Sequence, residues 1–356
     1  MSGANLVSMA SSITRVLICD DSAVARESFA RLLESDPAIR VVARSGNGRA
    51  ALDAITRQPV DVVVLDIEMP IMDGITALPM LVRAAPGVRV IMASRTTQKG
   101  ANLALRALRD GAADFIAKPG AGDFGGMAGF RTELLAKVKG HGRIPRALAE
   151  SDTVLLRAAG KAPRLIAVAC STGGPRALFT LVRGLAARGA LPVPVVITQH
   201  MPANFMPILA DHLEREGGLP CAEAQDAEAL APGRIYLAPG GRHLLVDRVG
   251  SSLQARLSHG PPENFCRPAA DAMLRSAAQA CGGEVFAVVL TGMGRDGLGG
   301  VRAVVESGGT AIAQDEASSV VWGMPGSVAE AGLCHAIAPV PELATCALDL
   351  LGRSGR

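Results

Sequence analysis

Short apolar runs alternate with amphipathic stretches from residue 15 onward. "RVLICDD" reads as a strand ending in Asp20 and Asp21. "SAVARESFARLLESD" follows with Val24, Phe29, Leu32 and Leu33 at helical spacing behind a Ser22 cap. "IRVVARSG" and "GRAALDAITRQ" repeat the strand and helix. "DVVVLDIEMPIMDG" gives a third strand, ending in Asp66, "VRVIMAS" a fourth, ending in Ser94, and "ADFIAKP" a fifth, ending in Lys118-Pro119. Short apolar strands between amphipathic helices predict a parallel, doubly wound sheet. The site of such a sheet lies beyond the carboxyl ends of its strands, where Asp20, Asp21, Asp66, Ser94 and Lys118 all fall.

A Gly-rich stretch, "PGAGDFGGMAGF" (119–130), interrupts the pattern. "RTELLAKVKG" reads as a helix, either alone in a linker or closing the first sheet, and periodicity is weak from there to residue 163. The alternation then resumes. "RLIAVAC" is strand-like and "PRALFTLVRGLAARG" helix-like, with Pro175 near the first turn. "LPVPVVITQHMP" is a strong strand ending at Gln199-His200. "GEVFAVVLTGMGRDGLGGVRAVVESGG" gives a strand over 284–291, a Gly-rich loop and a helix from Leu298. "RIYLAPGGRHLLVD" and "SSLQARLSHG" read as antiparallel strands with a turn at Pro239-Gly240-Gly241. "PENFCRPAADAMLRSAAQACGG" returns to helix, "GTAIAQD" adds a strand, and a last helix falls near 340–351.

Composition narrows the classes. A chain of 356 residues suits about two domains. With 49% hydrophobic and 19% charged residues it is globular rather than disordered. A net charge of +3 and a single Trp and Tyr give no argument for nucleic acid. Seven scattered Cys without a CxxC fit reduced thiols in the cytoplasm better than disulfides or zinc. The opening residues lack a basic, apolar leader, and no apolar run reaches the ~20 residues that span a bilayer, so membrane insertion is not expected.

The strand-end residues suggest chemistry. Three carboxylates in one crevice repel each other, and a hard divalent cation such as Mg2+ relieves that repulsion. With Lys118 it could neutralise a phosphoryl group arriving on a carboxylate oxygen. In the second half, Ser171 sits on a sharp strand-to-helix turn made possible by glycines. It is a nucleophile, part of an anion-binding turn, or a plain turn residue; "ACSTG" only half matches a nucleophile elbow. Of six histidines, only His200 ends a buried-looking strand. His212 is expected on a solvated helix face, and His243 and His259 at the surface. Asp296 either orients His200 or caps the following helix. Together, Ser171, His200 and Asp296 would supply a nucleophile, a base and an orienting carboxylate for acyl transfer. A DNA-binding output is not expected, since no basic recognition helix is present; a nucleotide site at 171–174 lacks GxxxxGK[ST].

Residues 15–119 resemble a response-regulator receiver domain on these strand-end residues. The resemblance implies Asp66 as phosphoacceptor, Mg2+ on Asp20, Asp21 and Asp66, phosphoryl contacts from Ser94 and Lys118, Phe115 as the switch aromatic, and a cis peptide at Lys118-Pro119. "ACSTGGPRAL", "TQHMP", "YLAPGGRHL", "CRPAADAMLRSAA", "LTGMGRDG" and "AQDEASSVVWGMP" resemble the catalytic domain of CheB-type protein-glutamate methylesterases. This implies a triad of Ser171, His200 and Asp296 with Thr172 and Met293 lining the site, and no cofactor there. It also implies hydrolysis of glutamate γ-methyl esters on methyl-accepting chemoreceptors, glutamine deamidation, and a chemotaxis histidine kinase as phosphodonor. Cys170 and Trp322 stand where a smaller residue and Phe are common in the family. The expected architecture is α/β throughout. An N-terminal extension (1–14) leads to a flavodoxin-like receiver with a five-stranded parallel sheet (15–130), then a linker (131–163). A doubly wound methylesterase domain with an antiparallel hairpin (164–352) follows.

Overall fold

The computed structural model describes residues 13–95, 97–118, 124–142, 154–155 and 161–352, and these divide into two compact units. The chain enters the first through β1 (Thr14–Cys19), α1 (Ala23–Leu33), β2 (Ile39–Ser45), α2 (Gly48–Arg57), β3 (Val62–Asp66), α3 (Gly74–Ala84) and β4 (Arg89–Arg95). Then come α4 (Gln98–Arg109), β5 (Asp114–Lys118) and α5 (Phe124–Gly142). The sheet order is β2-β1-β3-β4-β5, the flavodoxin-like order, whose topological switch lies between β1 and β3. Asp20 follows β1 directly and Asp66 is the last residue of β3. β3 is buried at every residue, as expected of a central parallel strand covered on both faces. Its approach to α3 requires Gly74, where a Cβ would run into the Asp66 carbonyl oxygen.

Two boundaries differ from expectation. The receiver was expected to end at residue 130, which falls inside α5. Phe130, Leu134 and Val138 of α5 lie in the core beneath β1 and α1, so the helix closes the first sheet rather than standing alone in a linker. Helix α4 groups with the second unit. The expected cis bond at Lys118-Pro119 involves Pro119, outside the described residues.

The second unit runs through β6 (Val154–Leu155), β7 (Leu165–Cys170), α6 (Gly174–Ala186), β8 (Val195–Gln199), a 3₁₀ turn at Ala203–Phe205, α7 (Met206–Gly217), β9 (Cys221–Glu223) and β10 (Ile235–Leu237). It continues with β11 (His243–Val249), β12 (Ser252–Ser258), α8 (Ala270–Cys281), β13 (Val285–Val289) and α9 (Leu298–Glu306). β14 (Thr310–Gln314), α10 (Met324–Glu330), β15 (Ala336–Ala338) and α11 (Val340–Gly352) complete it. Eight strands form one sheet in the order β6-β15-β14-β13-β7-β8-β10-β9, parallel except for β6. The chain leaves β7 toward β8 and returns on its other side as β13, so the switch point lies at the carboxyl ends of these three strands.

The antiparallel pair is β11 with β12, and its turn is at Gly250-Ser251 rather than at Pro239–Gly241. β10 instead joins the large sheet, parallel to β8. Leu244, Val246, Leu253 and Ala255 alternate with more exposed neighbours and join the core around α8. His212 and His243 are buried, against expectation: His212 lies near Phe179, and His243 Nδ1 accepts the Ala269 N–H at 3.1 Å. His259 is exposed, as expected. No described helix is long and apolar enough to cross a membrane.

Candidate active site

All six residues of β7 are buried, and the run stops at Cys170. Ser171 leaves the strand with its N–H donated to the Thr291 carbonyl at 3.0 Å. The chain turns at Gly173, whose φ of 77° and closeness to the Val320 side chain admit only glycine. Helix α6 starts at once, with Pro175 in its first turn. A Cβ at Gly174 would strike Gln199 Oε1, because the Gln199 amide is tucked under this turn. Its Nε2 donates to the carbonyls of Ser171 and His200, each at 3.0 Å, tying the ends of β7 and β8 together.

His200 follows β8, and its N–H donates to the Cys170 carbonyl at 3.2 Å. Its ring Nε2 lies 2.8 Å from Asp296 Oδ2. Asp296 is buried, and its carboxylate also accepts from the N–H groups of Ala270 (2.7 Å), Asp271 (3.0 Å) and Gly297 (3.0 Å) and from Asn264 Nδ2 (3.0 Å). Ala270 and Asp271 open α8, so the carboxylate sits at that helix's positive end. Asp296 therefore both holds the His200 ring and caps a helix, and that helix is α8 rather than α9, which starts at Leu298. Burial pushes the Asp296 carboxyl up, but the His200 contact and the two α8 N–H groups outweigh it and hold the group below the usual range. Burial alone would lower the His200 imidazole; the hydrogen bond to Asp296 and the contact with Cys266 raise it instead, to about 9.

The structure thus joins His200 to Asp296 and places Ser171 on the neighbouring strand end. Among the described residues no hydrogen bond links Ser171 to His200. The ring nitrogen turned away from Asp296, Nδ1, lies 3.7 Å from Cys266 Sγ. Thr172 is buried beside the serine, its carbonyl accepting from Thr291 Oγ1 at 2.9 Å, and Met293 is half-buried in the loop after β13. Sequence reading did not single out Cys266, Asn264 or Asp271 as site residues. Asp271 Oδ1 accepts the Gly300 N–H at 2.6 Å while Oδ2 takes Asn264 Nδ2 at 2.9 Å, so Asp271 locks α8 to α9. The available signal was the polar cluster of "ENFCRPAAD" at the start of a helix.

Gly292 presses on the serine from the other side. A Cβ there would approach Ser171 Cβ to 2.9 Å and Ser171 N to 3.1 Å and would strike the Met324 sulfur. Gly292→Ala is therefore expected to shift Ser171, lowering kcat about tenfold or more and stability by about 1–3 kcal/mol. Steady-state kinetics and a thermal melt check both.

In the first unit, Lys118 Nζ lies 2.7 Å from Asp20 Oδ2 and 2.8 Å from Asp66 Oδ1. Asp21 joins them with ligating oxygens of all three carboxylates within 4.8 Å. Burial pushes the Asp66 carboxyl up and the Asp20 charge adds to this, with Lys118 opposing. One lysine balances one of three carboxylates, and the remaining hard oxygen donors fit a divalent cation such as Mg2+. Ser94 is buried at the end of β4. Phe115 is buried too, with the Lys137 ammonium 5.5 Å from its ring centre.

Fold and site define a class of protein: a response-regulator receiver domain joined to a doubly wound α/β domain with an antiparallel hairpin. The family model for the response regulator receiver domain matches residues 16–123, and that for CheB methylesterase matches residues 166–346. The chain belongs to the CheB methylesterase family. It is 48% identical, over 95% of its length and 96% of the relative's, to protein-glutamate methylesterase/protein-glutamine glutaminase 1 of Paramagnetospirillum magneticum. It is also 48% identical to the protein-glutamate methylesterase/protein-glutamine glutaminase of Azospirillum brasilense, over 92% of this chain and 90% of that one. The crystal structure of the Thermotoga maritima CheB methylesterase catalytic domain, 37% identical, superposes with a TM-score of 0.51 over 53% of this chain and 98% of that domain.

Proposed function

We propose that this chain is a phosphorylation-regulated protein-glutamate methylesterase of the cytoplasm. It hydrolyses glutamate γ-methyl esters on methyl-accepting chemoreceptors, releasing methanol, and deamidates receptor glutamines in the same site. The observation that carries this reading is the His200–Asp296 hydrogen bond, set at strand ends beside the Ser171 turn. Asp296 occupies Nε2, so Nδ1 is the nitrogen left to take the Ser171 proton. Ser171 attacks the ester carbonyl, and the imidazolium formed is stabilised by the Asp296 carboxylate. N–H groups at the start of α6 face the developing oxyanion, each such donor contributing about 3 kcal/mol. Collapse expels methanol, or ammonia from glutamine, with the proton returned by His200. Water deprotonated at the same nitrogen then frees the glutamate from Ser171.

Control is assigned to Asp66 as phosphoacceptor from a chemotaxis histidine kinase. Asp20, Asp21 and Asp66 would hold Mg2+, which supplies positive charge to the incoming phosphoryl group. Lys118 and Ser94 would contact that group, and Phe115 would respond to it. Phosphorylation adds about −1.5 to −2 charges and biases a hindered form toward an open one. A tenfold activation requires only ~1.4 kcal/mol of bias.

The test is methanol release from membranes carrying methylated chemoreceptors, with and without acetyl phosphate and Mg2+. Wild type is expected to release methanol about tenfold faster with the phosphodonor, and Asp66→Asn to keep the basal rate without responding. Full stimulation of Asp66→Asn would remove Asp66 from the mechanism, and no release from wild type would overturn the methylesterase reading.

A further inference from the structure

Between the hairpin and α8 the chain makes a tight turn beside the candidate triad. Glu263 and Cys266 pair antiparallel: the Glu263 N–H donates to the Cys266 carbonyl at 3.1 Å and the Cys266 N–H to the Glu263 carbonyl at 2.8 Å. The two tip residues both have positive φ, 50° at Asn264 and 64° at Phe265. This is the type I′ pattern, in which Asn and Gly are favoured. Asn264 suits it. Phe265 does not, because a bulky residue in the left-handed region is an outlier. Its ring gains nothing inside the molecule, being 103% exposed against 85% for the next most exposed large apolar side chain, Ile71.

The turn is held on three sides. Glu263 accepts Arg275 Nη2 of α8 at 2.7 Å on both carboxylate oxygens. The Asn264 amide donates to Asp296 and Asp271. Cys266 Sγ stands next to His200 Nδ1. These anchors over-determine the backbone, which is how an unfavourable conformation persists at a functional site. They also fix the Phe265 backbone, one residue from each of two groups that touch His200 and Asp296. A fully wet aromatic side chain on an anchored backbone is suited to an external apolar contact, since it offers a large apolar face and has only two χ angles to lose on binding.

We propose that Phe265 is a substrate-recognition residue: its ring seats on apolar side chains flanking the esterified glutamate of the receptor helix and holds the ester over Ser171. The inference rests on the methylesterase reading above. Phe265→Ala and Phe265→Asn are expected to raise KM for methylated receptor membranes about tenfold, the change falling on KM rather than kcat. Phe265→Tyr restores the wild-type KM. Phe265→Asn, which accepts the left-handed conformation, should also raise Tm by about 2 °C. A wild-type KM in both truncated variants, or a fall in kcat with a fall in Tm, overturns the assignment. A second reading comes from binding of the same membranes to Ser171→Ala with and without Phe265→Ala, where about tenfold weaker binding is expected and equal binding refutes the contact. Wild type releasing no methanol would instead overturn the methylesterase reading itself, and this inference with it.

Discussion

Ser171→Ala is expected to slow methanol release from methylated receptor membranes by about 10⁴- to 10⁶-fold. The fold should not suffer. The serine's structural bonds are all made by its backbone: the N–H to Thr291, and the carbonyl accepting from Gly174 and from Gln199 Nε2. Its Oγ makes no hydrogen bond among the described residues, so removing it leaves no buried partner unsatisfied. Tm should stay within about 1–2 °C of wild type. The variant therefore separates chemistry from architecture. If Ser171 only shaped the turn, alanine would shape it equally well and activity would survive. A residual rate near wild type, with unchanged Tm, would assign the turn to anion binding or to geometry alone. A lost rate with unchanged Tm would place the bond-making atom on Ser171.

The parts of the fold that could be read from the sequence are those where one element's own pattern decides its place. β3, β7 and β13 are apolar runs and β8 is apolar up to Thr198, because both faces of each are covered, and polar residues at or just past the end mark each carboxyl end. In the first unit Asp66 is the last residue of β3, and in the second Ser171 and His200 are the first beyond β7 and β8, so the strand-end place of each was legible. What a residue meets from elsewhere in the chain was not. Pro239-Gly240-Gly241 carries a stronger turn signal than Gly250-Ser251, so the hairpin was expected there. Gly240 is required for another reason: a Cβ would stand 2.7 Å from the Ala203 nitrogen, where the end of β10 passes the 3₁₀ turn. His212 and His243 have polar neighbours in sequence but lie under other elements, which only tertiary packing reveals. Nor does the sequence say which imidazole nitrogen of His200 faces Asp296, or that Cys266 stands on the other side. The left-handed Phe265 was hidden because local preference argues against it, and anchors distant in sequence impose it.

Asp296→Asn is expected to cost about 10⁴-fold in kcat and to move the pH profile. The carboxylate takes His200 Nε2 and four other donors, all of which need acceptors. An amide offers one acceptor oxygen, and its NH2 must face either His200 or the α8 N–H groups. Turned to His200, it favours the tautomer that places the proton on Nδ1, where Ser171 needs a base. Turned to α8, it leaves donors unsatisfied at a cost of about 1–3 kcal/mol. The profile follows from the charge removed. In the wild type His200 is raised from 6.5 to about 9, and only the neutral ring is a base. Its kcat/KM should climb about tenfold per pH unit on the acid side and level off above about pH 9. Without the carboxylate the burial that disfavours imidazolium loses its main opponent, and the limb should move to lower pH even as the plateau falls. Stability runs the opposite way. A folded pKa above the unfolded one stabilises the fold fully below pH 6.5, and that contribution is lost as pH rises through about 9. Wild type should therefore gain rate and lose Tm over the same interval, while Asp296→Asn shows little of either slope there. A rate limb that stays near pH 9 in Asp296→Asn would mean that another group sets it, and that the Asp296–His200 bond is structural.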